Sequence, residues 1–263
     1  MESFWIFFSI FLRKLMKRYN VAIIMARMGS SRLPGKVLKN LVGRPMLAQL
    51  INRIKPSKKL DKIVVSTSIK KEDDPINEFC DSEEITCFRG DSEDVLKRLH
   101  DTAEIEEAKN VITIMGDNPL LHYDLIDAVV DEFHRKSEDY CTNYSNTVSL
   151  KGDSPDWGKF PEGVWAQICS ASAIQRAFIE ARDEHYRLHA MTYIFSHRNL
   201  FGSAFLFPQG KWSTLNEPDL FLAVNTPQQF VNMETVFEAG LRQSELFDLH
   251  AAIKIVKMNK TRA

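Results

Sequence analysis

Eleven residues from Ala26 to Lys36, ARMGSSRLPGK, hold two arginines, a lysine, two serines and two glycines. Gly29 and Gly35 let the backbone come close to an anion. Arg27, Arg32 and Lys36 bring up to three positive charges beside it, which suits a di- or triphosphate better than a neutral ligand. Ala26, Ser30 and Ser31 complete a nucleotide-binding loop. The string is not a Walker A loop, because five residues separate its glycines and Val37, not a hydroxyl residue, follows the lysine. A metal ion would therefore be held elsewhere. The next candidate is MGDNPL, where Asp117 follows an apolar strand as a hard-cation ligand would, although Asp-Asn-Pro alone also makes a turn.

These groups need elements that bring them together. Val21 to Met25 is apolar and β-branched enough to be a buried parallel strand, and such a strand delivers its following loop to the ligand-binding edge of an α/β sheet. Further along, strands are predicted over Lys62–Thr67, Ile85–Phe88 and Val111–Met115. Helices are predicted from Pro45, over Pro75–Cys80, over Ser92–Glu107 with Asp91 or Ser92 as cap, and after Asp124 with Leu125, Ile126, Val129, Val130 and Phe133 inward. The alternation implies a mostly parallel, doubly wound sheet with helices on both faces. After a loop or lid near 145–163, strands follow at Val164–Ile168, Ser203–Phe207 and Leu220–Val224. Helices follow over Ala171–Arg182, Glu184–Ser196 and Pro227–Ala239. Residues 20–263 read as one domain.

The string ARMGSSRLPGKVLKNLVGRPML resembles the signature loop of the cytidylyltransferases that activate acidic sugars. These are the acylneuraminate and 3-deoxy-manno-octulosonate enzymes and, most similar, the spore-coat polysaccharide SpsF type. The resemblance implies a Rossmann-like nucleotide-diphospho-sugar transferase (GT-A-like) fold and a Mg²⁺-dependent transfer of CMP from CTP to an acidic sugar or other anionic or phosphorylated acceptor. GDNPL is similar to a family segment whose aspartate binds magnesium, which assigns the metal to Asp117 and makes Gly116 part of the nucleotide site. AVNTPQQF puts Asn225 where family members carry an aspartate; as a neutral oxygen donor it is the second metal-ligand candidate, and the same residues also read as a helix cap. FRGDSEDVLKR resembles a segment near the base and ribose, implying Arg89 and Asp94. STSIKKEDDPI resembles one that shapes the base pocket, implying Ser66, Thr67 and Ser68.

The acceptor side departs from that pattern. PEGVWAQIC has Trp165 and Gln167 where acidic residues are usual, and RLHAMTYIF keeps His189 but lacks the neighbouring glutamate. Replacing two charges by an indole and an amide should change the group that is bound. Two other classes remain open on the residues alone: a nucleotide-sugar glycosyltransferase, and a nucleotide-binding relative without catalysis.

Composition sets the outer bounds. The chain has 263 residues, of which 44% are hydrophobic, enough for a sizeable core. A net charge of −1 argues against a protein that coats nucleic acid. Four cysteines without CxxC spacing fit a reducing cytoplasm and no zinc or disulfide framework. FWIFFSIFL near the start is too short to span a membrane, so residues 1–19 read as an extension outside the fold. The resemblance leaves a homodimer open.

The extension contributes no anion-binding or metal-binding group. A chain starting at Met16 should therefore keep its turnover; a soluble, folded truncation without activity would contradict this.

Overall fold

The computed structural model describes residues 19–143 and 158–260. The extension up to residue 18, and the expected lid at 145–163 as far as residue 157, lie outside the described residues. Tyr19 is already tied to the sheet, its carbonyl accepting from the N–H groups of Lys109 and Asn110.

Strand β1 (Asn20–Met25) is buried along its whole length in the middle of a seven-stranded sheet. Its apolar run is continuous because both faces are covered: Ala22 and Ile24 enter one core, Val21, Ile23 and Met25 the other. On one side β4 (Lys62–Ser68) and then β5 (Thr86–Gly90) run parallel to it. On the other side comes parallel β6 (Asn110–Met115), followed by β8 (Gln167–Ser170), β7 (Tyr140–Thr142) and β9 (Ser203–Phe205). The order is β5-β4-β1-β6-β8-β7-β9, and β8 alone runs antiparallel to its neighbours. A small hairpin, β2 (Asn40–Leu41) and β3 (Arg44–Pro45), precedes the first helix.

Helices α1 (Met46–Ile54), α2 (Asp74–Ser82) and α4 (Tyr123–Lys136) cover one face, joined by α8 (Pro227–Leu241) and α9 (Leu249–Lys260). The other face is covered by α3 (Val95–Ile105), α5 (Ala171–Glu180) and α7 (Thr192–Ser196), with α6 (Glu184–Leu188) at the surface. This is the doubly wound α/β fold that the strand-helix alternation predicts. No helix among the described residues is long and apolar enough to cross a membrane.

The topology fixes where a ligand must go. From β1 the chain winds outward through β4 to β5, then returns to add β6 on the opposite side of β1. The crevice between the carboxyl ends of β1 and β6 is thus the switch point, where the two following loops diverge and leave room for a ligand. Those loops begin with Ala26 and Gly116.

Several elements differ from expectation for local reasons. Helix α3 starts at Val95 with Asp94 as cap, accepting from the Lys97 N–H, because Asp91 instead closes a turn onto Glu93 and Asp94. His122, not Asp124, caps α4. The stretch from Glu184 to Ser196 is two short helices, broken at His189. Leu220–Val224 is no strand: it hooks onto Glu162 through two backbone bonds and onto Asp117 through a third. Val164–Ala166 also stays outside the ladder, which β8 enters only at Gln167.

Gly163 makes that hook feasible. Its φ is +94°, and a Cβ there would stand 2.2 Å from the Ala223 nitrogen. Gly163→Ala combines a left-handed φ with a backbone clash, and should cost on the order of 2 kcal/mol or more. A melt should show this as a fall of about 5 °C or more; an unchanged melting temperature would contradict the assignment.

Candidate active site

At the switch point a cleft of about 210 Å³ is lined by Arg27, Ser30, Ser31, Arg32 and Lys36 from the loop after β1, by Gly116 and Asp117 from the loop after β6, and by Asn225. The first loop is held open by its own bonds: Met28 carbonyl accepts from both Ser30 and Gly35, and Gly35 turns the chain at φ +67° into a 3₁₀ turn that starts with Lys36. Arg27 and Arg32 stand exposed at the mouth, aligned for a polyanion. Gly116 packs against the end of β1, where a Cβ would meet the Met25 carbonyl at 3.1 Å, so this residue lets the Asp117 loop lie close beside the first loop.

Lys36 is buried and does not reach toward solvent. Its ammonium donates to Asp117 Oδ2 at 2.7 Å, to the Val224 carbonyl at 2.8 Å and to Asn225 Oδ1 at 2.8 Å. Both acceptor loops are braced. The Val224 N–H donates to the Asp117 carbonyl, and Gln229 Oε1 accepts from the backbone N–H groups of Asn225 and Thr226 in a capping box that opens α8. Thr226 thus serves as the helix cap, which leaves the Asn225 side chain aimed at the cleft. Three hard oxygen donors converging on one cation are a set that suits Mg²⁺, which takes one or two carboxylates from a protein and completes its shell with phosphate and water.

The structure does not bring every candidate to this cleft. Ser66, Thr67 and Ser68 lie inside β4, covered on both faces; Ser66 meets Thr102, and Ser68 donates to Asp73. Arg89 is spent on the loop after β4, donating to the carbonyls of Ser68 and Lys70 and pairing with Asp74. Asp94 caps α3 and pairs with Arg187, so both of its oxygens are engaged. None of these five residues lines the cleft.

On the acceptor side, antiparallel β8 brings the residues preceding it to the carboxyl end of β6. Trp165 is half-buried there, whereas Gln167 accepts from the Tyr140 hydroxyl at 2.6 Å within the sheet. His189 is at the surface, its ring 4.9 Å from that of His185. Partial burial, then the charges of His185 and Arg27, hold its pKa below the ordinary value.

Two residues carry weight that their motifs do not advertise. Asp73, 1% exposed, accepts the Met28 N–H at 2.6 Å and the Ser68 hydroxyl, and so clamps the phosphate loop between its two arginines. It is one of three successive acids before Pro75, and nothing in their order distinguishes the buried one. Glu162 is the acidic group of the acceptor side: burial, reinforced by the Asp117 charge, pushes its carboxyl above the ordinary glutamate range. Its signal is the acid-glycine pair in PEG, where Glu162 stands three residues before Trp165 and five before Gln167.

A cavity of about 880 Å³ at the opposite edge of the sheet, by Tyr19 and the end of α3, is larger. Its rim carries Glu104, Glu106 and Glu107, which would repel a phosphate. The smaller cleft is the one that the cationic loop lines.

A seven-stranded sheet of this order, with a cationic loop and an aspartate at its switch point, defines a nucleotidyltransferase. A family model described as cytidylyltransferase matches residues 21–156, and the chain belongs to that family. The spore coat polysaccharide biosynthesis protein SpsF of Bacillus subtilis is 28% identical over 90% of this chain and 93% of its own length. The 3-deoxy-manno-octulosonate cytidylyltransferase 2 of Hydrogenovibrio crunogenus is 30% identical over 52% of this chain and 54% of its own. In fold, a cytidylyltransferase from Leptospira borgpetersenii superimposes with a TM-score of 0.81 at 22% identity, covering 93% of this chain and 96% of that one. The family membership sets aside the glycosyltransferase and non-catalytic alternatives.

The Asp73 clamp has a kinetic signature. Asp73→Ala should raise KM for the nucleotide on the order of tenfold or more, because an unpinned loop no longer presents its cations in register. Asp73→Asn keeps an acceptor for the Met28 N–H and should recover most of that loss; equal KM values for the two variants would remove the clamp from the account.

Proposed function

We propose that this enzyme transfers CMP from CTP to an acidic sugar of the nonulosonic or octulosonic type, or to another anionic acceptor, releasing pyrophosphate for cell-surface polysaccharide synthesis. The observation that carries the reading is the convergence of Arg27, Arg32, Lys36, Asp117 and Asn225 on one crevice between β1 and β6. The name of the octulosonate enzyme supports the octulosonic acceptor, and that of SpsF the link to polysaccharide synthesis. Four unpaired thiols fit a reaction in the cytoplasm.

In the reaction an acceptor hydroxyl oxygen bonds to the α-phosphorus of CTP, the bond from that phosphorus to its bridging oxygen breaks, and pyrophosphate leaves with the charge. The hydroxyl proton passes to solvent. Such a transfer needs positioning and neutralisation more than a nucleophilic side chain. Arg27 and Arg32, with Ser30, Ser31 and the backbone about Gly29 and Ala26, would bind the β- and γ-phosphates and stabilise the leaving pyrophosphate. Asp117, Asn225 and the Val224 carbonyl would hold Mg²⁺, which when bound screens phosphate charge and lowers the pKa of the attacking hydroxyl. Trp165, Glu162 and His189 would border the acceptor. Glu162 remains there while the pair the family usually carries at the Trp165 and Gln167 positions is absent, so this border repels an anionic acceptor less.

Mass spectrometry of products after incubation with Mg²⁺, CTP and a panel of nonulosonic, octulosonic and phosphorylated acceptors tests the reading. A CMP conjugate with stoichiometric pyrophosphate is expected, and its absence across the panel would refute it. Lys36→Ala and Asp117→Ala should each lower kcat/KM on the order of 10²-fold or more with little change in melting temperature, while Asn225→Asp should be tolerated. Trp165→Asp should leave CTP affinity intact by calorimetry and change only the acceptor used; loss of CTP binding in a folded Trp165→Asp protein would put that residue on the wrong side of the site.

A further inference from the structure

We infer that Lys36 is a resident cation of the metal cage: its ammonium and a divalent ion compete for the same three oxygens, so the ion enters only when a triphosphate draws Lys36 away. The inference rests on the reading of Asp117 and Asn225 as metal ligands.

An ammonium has three N–H donors. All three are committed here, to Asp117 Oδ2, Asn225 Oδ1 and the Val224 carbonyl, at 2.7 to 2.8 Å. In this position Lys36 has no donor left for a phosphate. Its side chain is 10% exposed, so water does not complete its shell either. To serve the triphosphate, as the loop it ends would have it do, Lys36 must leave the cage, and the oxygens it leaves are the set that a hard cation takes.

Charge sets the order of events. Asp117 supplies one negative charge and Lys36 one positive, and Asn225 adds none, so the cage is balanced as it stands. A divalent ion in place of the ammonium would leave the cage with a surplus positive charge beside Arg27, Arg32 and the displaced Lys36. Only an incoming polyanion offsets that surplus. An aspartate at position 225 would have given the cage a second negative charge and admitted a divalent ion without nucleotide; asparagine there makes metal entry conditional. The acceptors themselves do not depend on Lys36 for their placement, since the Val224–Asp117 backbone bond and the Gln229 capping box hold them.

The test titrates Mn²⁺ alone, without nucleotide, into the full chain and follows bound ion by calorimetry and electron paramagnetic resonance. The parent should bind weakly. Lys36→Met and Lys36→Gln should each bind at least about tenfold tighter, because an occupied cage reduces apparent affinity by the fraction of time it is vacant. The glutamine variant keeps a neutral donor for Asp117, and circular dichroism confirms the fold of each. Adding Asp117→Asn to Lys36→Met should abolish the gain, and Asn225→Asp in the parent background should reproduce it in part. Parent binding as tight as that of the lysine variants, or a gain that survives Asp117→Asn, overturns the inference. No CMP transfer enters these titrations, so a failed acceptor panel would refute the proposed reaction while leaving the Mn²⁺ result to stand or fall by itself.

Discussion

A single buried ammonium joins the three loops on which the site depends. Lys36 comes from the turn after β1, Asp117 from the loop after β6, and Val224 with Asn225 from the segment that leads into α8. Every other feature of the crevice keeps these loops close enough for that contact. Gly116 lets the second loop lie against the first, Gly163 lets the hook from Glu162 reach Phe221, and the Thr226–Gln229 box fixes the first turn of α8, directly after Asn225.

The exposed cations of the cleft depend on a second contact, made from the other side. Asp73 sits under the phosphate loop and takes the Met28 N–H, so Arg27 and Gly29 are presented by a backbone that is held from below. Burial depresses the pKa of nearby Arg98, with the positive charge of Arg27 adding to the effect and Asp73 opposing it. The loop is thus held from below by Asp73 and carries the exposed Arg27 and Arg32, an arrangement that attracts a polyanion.

The sheet explains why chemistry collects at one edge. Six strands point the same way, so their following loops share an end, and the reversal of winding at β1 and β6 opens the only gap in that row that topology requires. Antiparallel β8 serves the same edge from the opposite direction: it brings the residues before it, not after it, to the crevice. Trp165 and Glu162 arrive by that route.

The sequence alone determined the doubly wound fold and the phosphate character of the first loop, from signals local in the chain: a two-sided apolar strand, and glycines and cations within eleven residues. The candidacy of Asp117 and Asn225 as metal ligands rested chiefly on the resemblance of GDNPL and AVNTPQQF to family segments. What lies far apart in sequence was decided only by the tertiary structure. That Lys36 faces Asp117 across 81 positions and Asn225 across 189, that Asp73 and not Asp74 is the buried clamp, and that Ser66 to Ser68 face the interior follow from register and crossover. Periodicity names which residues are buried but not which loop a side chain meets. The missing strand at Leu220–Val224 has the same origin, since backbone bonds to Glu162 and Asp117 outweighed a strand propensity that is worth little without a neighbour to pair with.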